Sequence, residues 1–458
     1  SVKIDFLQKN PIDRFWNDQP NYPNSSAFLQ LEKFSGENLK DKIKKIQNNL
    51  QLNSIDFYIL SSLDSIAWLL NIRGGDIEYT PLIICYAIVP SQGKIELFID
   101  KKKIKGISNQ MKDSVNFYPF DKIDAYINNI NNNKIIGLDE KSTPQIFLDR
   151  CKKKRLTIFF HQNPCLYPKA IKNKIELEGA RKANLRDGVS ISKFLYWLKN
   201  EIEVEEMDEL KAADFLLNLR KKNELFYSPS FETISAFGLN AALPHYKVNK
   251  ESNKKFQNNF LYLVDSGAQY RDGTTDITRT IIIGKPTQEH KDRFTRVVKG
   301  HIAVAEIRFL RNIKSSKIDS IARKSLKEIN CDYDHGTGHG IGSFLSVHEG
   351  PQRINKYNTS KGVIKEGMIL SNEPGFYKVG EYGMRTENLI ICHSSKSNDL
   401  YFETISWAPI DRDLIERLLL NNTEIKWING YHNKVYKKIS PYLVSSEKKW
   451  LYNVTRPI

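Results

Sequence analysis

Five residues spread between Leu261 and Asn388 have the types a metal site needs: Asp265, Asp276, His339, Glu373 and Glu387. The first two lie in Leu261-Tyr-Leu-Val-Asp265-Ser-Gly-Ala-Gln-Tyr-Arg-Asp-Gly-Thr-Thr-Asp276-Ile-Thr-Arg-Thr-Ile-Ile-Ile283. Apolar runs flank a glycine-containing turn there, the pattern of a β-hairpin. A hairpin centred between Tyr270 and Arg271 sets Asp265 opposite Asp276 on one face, about 5 Å apart. Two unpaired carboxylates that close repel, so the arrangement asks for a cation. The design recurs at Gly367-Met-Ile-Leu-Ser-Asn-Glu373 and Gly383-Met-Arg-Thr-Glu387, where a hairpin centred on Gly380 sets Glu373 against Glu387. Between the two lies His335-Gly-Thr-Gly-His339-Gly-Ile-Gly-Ser-Phe-Leu-Ser-Val-His348-Glu-Gly-Pro351. It opens on His and Gly, and glycine lets a backbone come close to a ligand or another strand.

Four carboxylates and one imidazole make a hard, oxygen-rich site. That chemistry favours Mn²⁺, with Zn²⁺, Fe²⁺ or Co²⁺ able to occupy it. Four acids exceed what one divalent ion needs for charge balance. Two ions, roughly 3.5–4 Å apart and bridged by carboxylates and a hydroxide, fit the set better.

The order Asp, Asp, His, Glu, Glu with this spacing resembles the pita-bread metallopeptidases, which include methionine aminopeptidases, prolidases and aminopeptidase P. The strings from His335 to Pro351 and from Asp265 to Asp276 are similar to the eukaryotic cytosolic type of Xaa-Pro aminopeptidase. So are Asn10-Pro-Ile-Asp-Arg-Phe-Trp16 and Trp68-Leu-Leu-Asn-Ile-Arg-Gly-Gly-Asp76, and the likeness covers nearly the whole chain. It implies hydrolysis of the bond between an N-terminal residue and a penultimate proline by attack of a metal-bridging hydroxide. Peptides of that kind are the implied partners. A prolidase-type dipeptidase and a catalytically silent pita-bread interaction module are the alternatives. The family is commonly dimeric through its catalytic domain, so a homodimer is expected. It also carries a related domain ahead of the middle one, which this sequence lacks; a truncated chain or a naturally shorter protein is the expectation.

Within such a site Asp276 and Glu387 bridge the ions, Asp265 completes one, and His339 with Glu373 the other. Glu373 is the general base toward the attacking water, and the metals with His245 or His348 stabilise the oxyanion. His245, in Leu243-Pro-His-Tyr246, matches the family's cleft histidine. His335 and His348 share the loop of His339 without being needed as ligands, and the family pattern lines the active site with both. His348 is the better candidate for protonating the leaving amine. Arg385 stands two residues before Glu387, hence on the same strand face, as a partner of ligands or substrate carbonyls. Arg73 is a candidate to reach the cleft and touch substrate, with a structural turn as the equal alternative. His161, His290, His301, His393 and His432 lie outside the motifs and are expected to be structural or at the surface.

These residues must be carried by two bodies, since 458 residues exceed one ordinary core. Residues 1–168 alternate in an α/β manner. Helical spacing covers 38–50, 63–70 and 121–130; strand-like runs cover 55–60, 82–89, 94–99, 134–138 and 156–160. The resemblance makes this a non-catalytic, creatinase-like domain. The segment 161–168 holds two prolines that break helix and strand alike, which sets the boundary. Residues 169–458 then form the pita-bread catalytic domain, a curved antiparallel sheet covered by helices. Two of those helices are expected over about 170–199 and 205–221. The fold class is α/β to α+β.

The formal charge of +16 comes from 69 basic residues interleaved with 53 acidic ones. Runs such as Lys101-Lys-Lys103 are solvated faces, and no nucleic-acid-binding module is recognisable, so no nucleic-acid partner is expected. Five scattered cysteines without a Cys-x-x-Cys pair argue for a reducing compartment. No signal peptide opens the sequence, and the apolar run 80–89 is too short to span a bilayer. A cytoplasmic protein without membrane contact follows.

Overall fold

The computed structural model describes residue 7 and residues 10–360 and 362–458. The first half is built on a six-stranded mixed sheet. Its strands lie in the order Val115–Tyr118, Ile95–Phe98, Tyr86–Pro90, Phe57–Leu60, Ile135–Leu138 and Thr157–Phe160. The central strand Phe57–Leu60 pairs antiparallel with Tyr86–Pro90 and parallel with Ile135–Leu138. The helix Leu39–Leu52 starts where the Asn38 side chain accepts from the Asp41 N–H, and it buries Ile43, Ile46 and Leu50 at helical spacing. The expected strand over 82–89 forms its ladder only from Tyr86; residues 81–85 belong to no strand.

The connection between the halves departs from the expected helix over 170–199. A short helix, Leu166–Ala170, comes first, and the long one is Lys174–Asn200. The reason is local: the Asn173 side chain accepts from the N–H groups of Ile175 and Glu176, and Glu176 reciprocates to the Asn173 N–H. This capping box fixes the start. Likewise Asp208 caps the next helix, Glu209–Lys221, so 205–208 stay outside it.

In the second half every recorded strand pairing is antiparallel. Ile234–Phe237, Phe260–Ser266 and Ile277–Ile283 form one sheet. A six-stranded sheet runs in the order Arg308–Phe309, Leu400–Thr404, Asn388–Ser394, Ile369–Asn372, Gly338–Gly340, Glu349–Ile354. The hairpin Gly375–Lys378/Tyr382–Arg385 extends from it. Helices cover these sheets: Ile191, Phe194, Leu195 and Leu198 of the long helix pack with Tyr262, Val264, Ile277 and Ile281. Among the described residues no helix is long and apolar enough to cross a membrane.

Candidate metal centre and cleft

The first carboxylate hairpin is real, but its register is shifted from the expected one. Tyr270 pairs with Gly273, so Arg271 and Asp272 make the turn, and Asp265 stands opposite Thr278. Asp276 falls two residues before that partner. Positions two apart share a face, so both carboxylates still point the same way, as diagonal neighbours. The second hairpin keeps the expected register. Gly375 pairs with Arg385 and Asn372 with Asn388, which brackets Glu373 and Glu387 at the junction of the two ladders. His339 lies on the short strand Gly338–Gly340, squeezed between Glu349–Ile354 and Ile369–Asn372. Glycine is required on both sides of it: a Cβ at 338 would overlap the Ser371 carbonyl, and one at 340 the Glu349 carbonyl.

All five candidate ligands line one cavity of about 520 Å³. Ligand atoms of Asp276, His339 and Glu387 lie within 4.8 Å of one another. His339 Nδ1 donates to the Gly340 carbonyl at 3.0 Å, which leaves the Nε2 lone pair facing acids. It stands 3.4 Å from Asp276 Oδ2 and 3.5 Å from Glu373 Oε1. A lone pair aimed at two carboxylates is repulsive unless a metal ion or a shared proton lies between them. Oδ1 of Asp265 and Oδ1 of Asp276 are buried without a hydrogen-bond partner. Burial, then the charges of Asp265 and Glu373, hold the Asp276 carboxyl well above its usual range. Burial and Asp276 do the same for Glu387, and burial raises Glu373. The donor set therefore fits hard divalent cations.

Three further histidines face this cavity: His245, His335 and His348. The His348 ring meets that of His339 edge-on at 4.2 Å between centroids. Burial and the neighbouring His339 push its pKa down to about 4. His335 Nε2 accepts from the Tyr377 hydroxyl at 2.8 Å; burial and Arg385 push its pKa down to about 3. Arg385 donates to Asp265 Oδ2 at 2.6 Å, to Thr278 Oγ1 at 3.2 Å and to the Tyr377 hydroxyl. It is thus a ligand partner that aims Asp265.

Residues 178–394 match metallopeptidase family M24, residues 18–176 the creatinase/prolidase N-terminal domain, and residues 399–458 the C-terminal region of peptidase M24. The whole chain is 36% identical, over 480 residues, to Xaa-Pro aminopeptidase 1 of Dictyostelium discoideum and spans 76% of it. With a probable Xaa-Pro aminopeptidase P of Leptosphaeria maculans it shares 36% identity, covering 98% of this chain and 78% of that protein. This chain belongs to metallopeptidase family M24.

Solved structures agree with the M24 assignment. The X-prolyl aminopeptidase of Caenorhabditis elegans, described as a cytosolic enzyme with a di-nuclear active site, matches with a TM-score of 0.93 at 33% identity. That match covers 99% of this chain and 76% of that one. The prolidase of Pyrococcus horikoshii matches with a TM-score of 0.63 at 26% identity, over 81% of this chain and 99% of that one.

One expected substrate contact of this M24 chain is placed elsewhere. Arg73 is buried and does not line the cavity. Its guanidinium is taken up by the carbonyls of Phe344, Ala67, Ile72 and Ser343. Four of its five N–H groups are committed to backbone carbonyls in this way, which fits the alternative of a structural role. Conversely, the cavity includes Phe231, Ile234, Arg353 and Asn355, which the sequence reading passed over. The signal for Arg353 was the ladder: it pairs with His339 and so shares its face. Tyr377 was equally readable as the residue level with Gly383 in the second hairpin. His301 and His432, expected to be structural, are fully buried among helices and strands.

Proposed function

We infer that this M24 chain is a metallo-aminopeptidase that hydrolyses the bond between an N-terminal residue and a penultimate proline. The observation that carries the reading is the convergence of two Asp, two Glu and one His on one cavity, in a chain matched end to end by Xaa-Pro aminopeptidases. Asp265, Asp276, His339, Glu373 and Glu387 would hold two divalent ions, with Asp276 and Glu387 the candidates to be shared between them. Mn²⁺ is the ion this oxygen-rich set favours, with Zn²⁺ or Co²⁺ as substitutes. When bound, the ions acidify a water and polarise the scissile carbonyl.

The chain's own groups do the rest. Glu373 takes a proton from the attacking water, whose oxygen bonds to the carbonyl carbon. His245 or His348 donates to the developing oxyanion. As the C–N bond breaks, the proton that Glu373 took from the water passes through His348 to the proline nitrogen, which leaves as a secondary amine. Proline offers no N–H to grip, so recognition falls to apolar surface, and Phe231 and Ile234 supply it on the cavity wall. His335 and Arg385 line the same cavity. In this scheme residues 1–168 are the non-catalytic domain and residues 169–458 the catalytic one.

Comparing Arg-Pro with Arg-Pro-Pro tests the substrate assignment. Release of free arginine from the tripeptide is expected; cleavage of the dipeptide alone means a prolidase. A homodimer through the catalytic domain and a cytoplasmic location complete the proposal. Light scattering on the full chain at twice its mass is the expected result for the dimer.

A further inference from the structure

Residues 341–348 leave the six-stranded sheet as a loop that ends on His348. The loop is embedded in the first half of the chain as much as in its own. Leu345 is buried in the same apolar cluster as Trp68, Leu70 and Ile72. The Phe344 ring packs against Phe28 at 6.2 Å and Tyr227 at 5.3 Å between centroids. Phe344 itself has φ +50°, a conformation a bulky residue keeps only where its surroundings enforce it. Arg73 is the enforcing group: Nε donates to the Phe344 carbonyl at 2.6 Å and Nη2 to that of Ser343 at 3.3 Å, while Nη1 is tied to Ala67.

The other end is held by charge. The Glu349 carboxylate, next to His348, is fully buried and accepts from Lys172 Nζ at 2.5 Å. It also pairs with Lys169 Nζ at 2.8 Å, and Lys169 reaches Asp64 on the helix Leu63–Leu69 at 2.9 Å. The two lysine side chains are 1% and 0% exposed. Charges so deep persist only when paired. None of Arg73, Lys169, Lys172 or Glu349 lines the catalytic cavity, so the reaction does not account for them directly.

We propose that this loop is clamped at both ends, by Arg73 of the first half at one and at the other by Lys169 and Lys172 on Glu349, with Lys169 tied to Asp64 of the first half, and that the clamp positions His348 for proton delivery. These are positioning residues; none touches the reacting atoms. The inference rests on the role given above to His348. It assigns the creatinase-like half a task in turnover, not merely in stability.

A double-mutant cycle on the 458-residue chain, loaded with Mn²⁺, tests it. Arg73→Met and Lys172→Met are each made alone and with His348→Ala, and kcat and KM for Arg-Pro-Pro are measured together with bound metal. Misplacing a catalytic group by about 1 Å from a distance costs up to about 100-fold. Each clamp variant should therefore lose about ten- to hundredfold in kcat, keep KM within about twofold and retain its metal. Combined with His348→Ala, neither should lose more than His348→Ala alone, and Arg73→Lys should recover part of the loss. Losses that multiply in the double variants overturn the proposal, because the clamp then supports the fold without acting through His348. Should Lys172→Met leave too little folded protein, the Arg73 arm decides alone. Wild-type kcat in His348→Ala also overturns it, and wild-type hydrolysis of the tripeptide shows that the peptidase reading itself survives.

Discussion

Asp276 and Glu387 are the two residues whose surroundings call most strongly for a cation or a proton among them. Each is about as buried as a side chain can be, and each faces other carboxylates. If both ions share them, as proposed, a change at either should affect both ions at once. Asp276→Ala is expected to drop the bound metal from two ions per chain to one or none, measured by elemental analysis after dialysis, with the far-UV spectrum unchanged. Retention of both ions contradicts the bridging role. The residues of this cluster could be read from the sequence because their types, order and spacing are rare in combination. Arg73 could not be read that way. Its partners at Ser343 and Phe344 lie some 270 positions away and are backbone carbonyls, which carry no residue signature.

The elements align these residues through hydrogen bonds that say nothing of catalysis. His301, on the helix Gln288–Glu306, donates from Nδ1 to the Asn372 carbonyl at 3.0 Å and accepts at Nε2 from Asn388 at 3.0 Å. Those asparagines adjoin Glu373 and Glu387, so one neutral imidazole locks the helix to both strands of the second hairpin. Burial and Arg279 push His301 down to about 3; burial and Arg412 push His432 down to about 3. A depressed histidine pKa means the unfolded chain binds the extra proton first. Stability from these two is complete above the unfolded value of about 6.5 and is lost as pH falls toward 3. At pH 5 each should cost about 2 kcal/mol. Denaturant titrations at pH 7 and pH 5 are expected to show this loss, reduced in His432→Gln; an equal loss in that variant contradicts the assignment. The sequence predicted both hairpins, yet misjudged the first register by one residue at its centre. Arg271-Asp272 and Tyr270-Arg271 are similar as turn candidates, and what selects the former is tertiary. Asp272 is gripped by Arg186, and Tyr270 bonds to Asp187, both on the long helix. The second hairpin was read correctly because Gly380, at φ +76°, marks its own turn.

At the scale of the molecule, the sequence changes pattern near residues 161–168, where helix–strand alternation gives way to long helices and hairpins. What lay beyond the sequence was how the bodies meet. Leu345 in the core of the first half, and the Arg73 and Glu349 contacts, join residues too far apart for any local pattern to link. Of the 69 basic residues, Arg353 and Arg385 line the cavity, beside four carboxylates. The most direct measurement is release of lysine from Lys-Pro-Pro by the wild-type chain with Mn²⁺, after chelation, and in Glu373→Ala. Release of the first residue alone, abolished by chelation and by the substitution, is what the account predicts. Equal turnover in all three would contradict it.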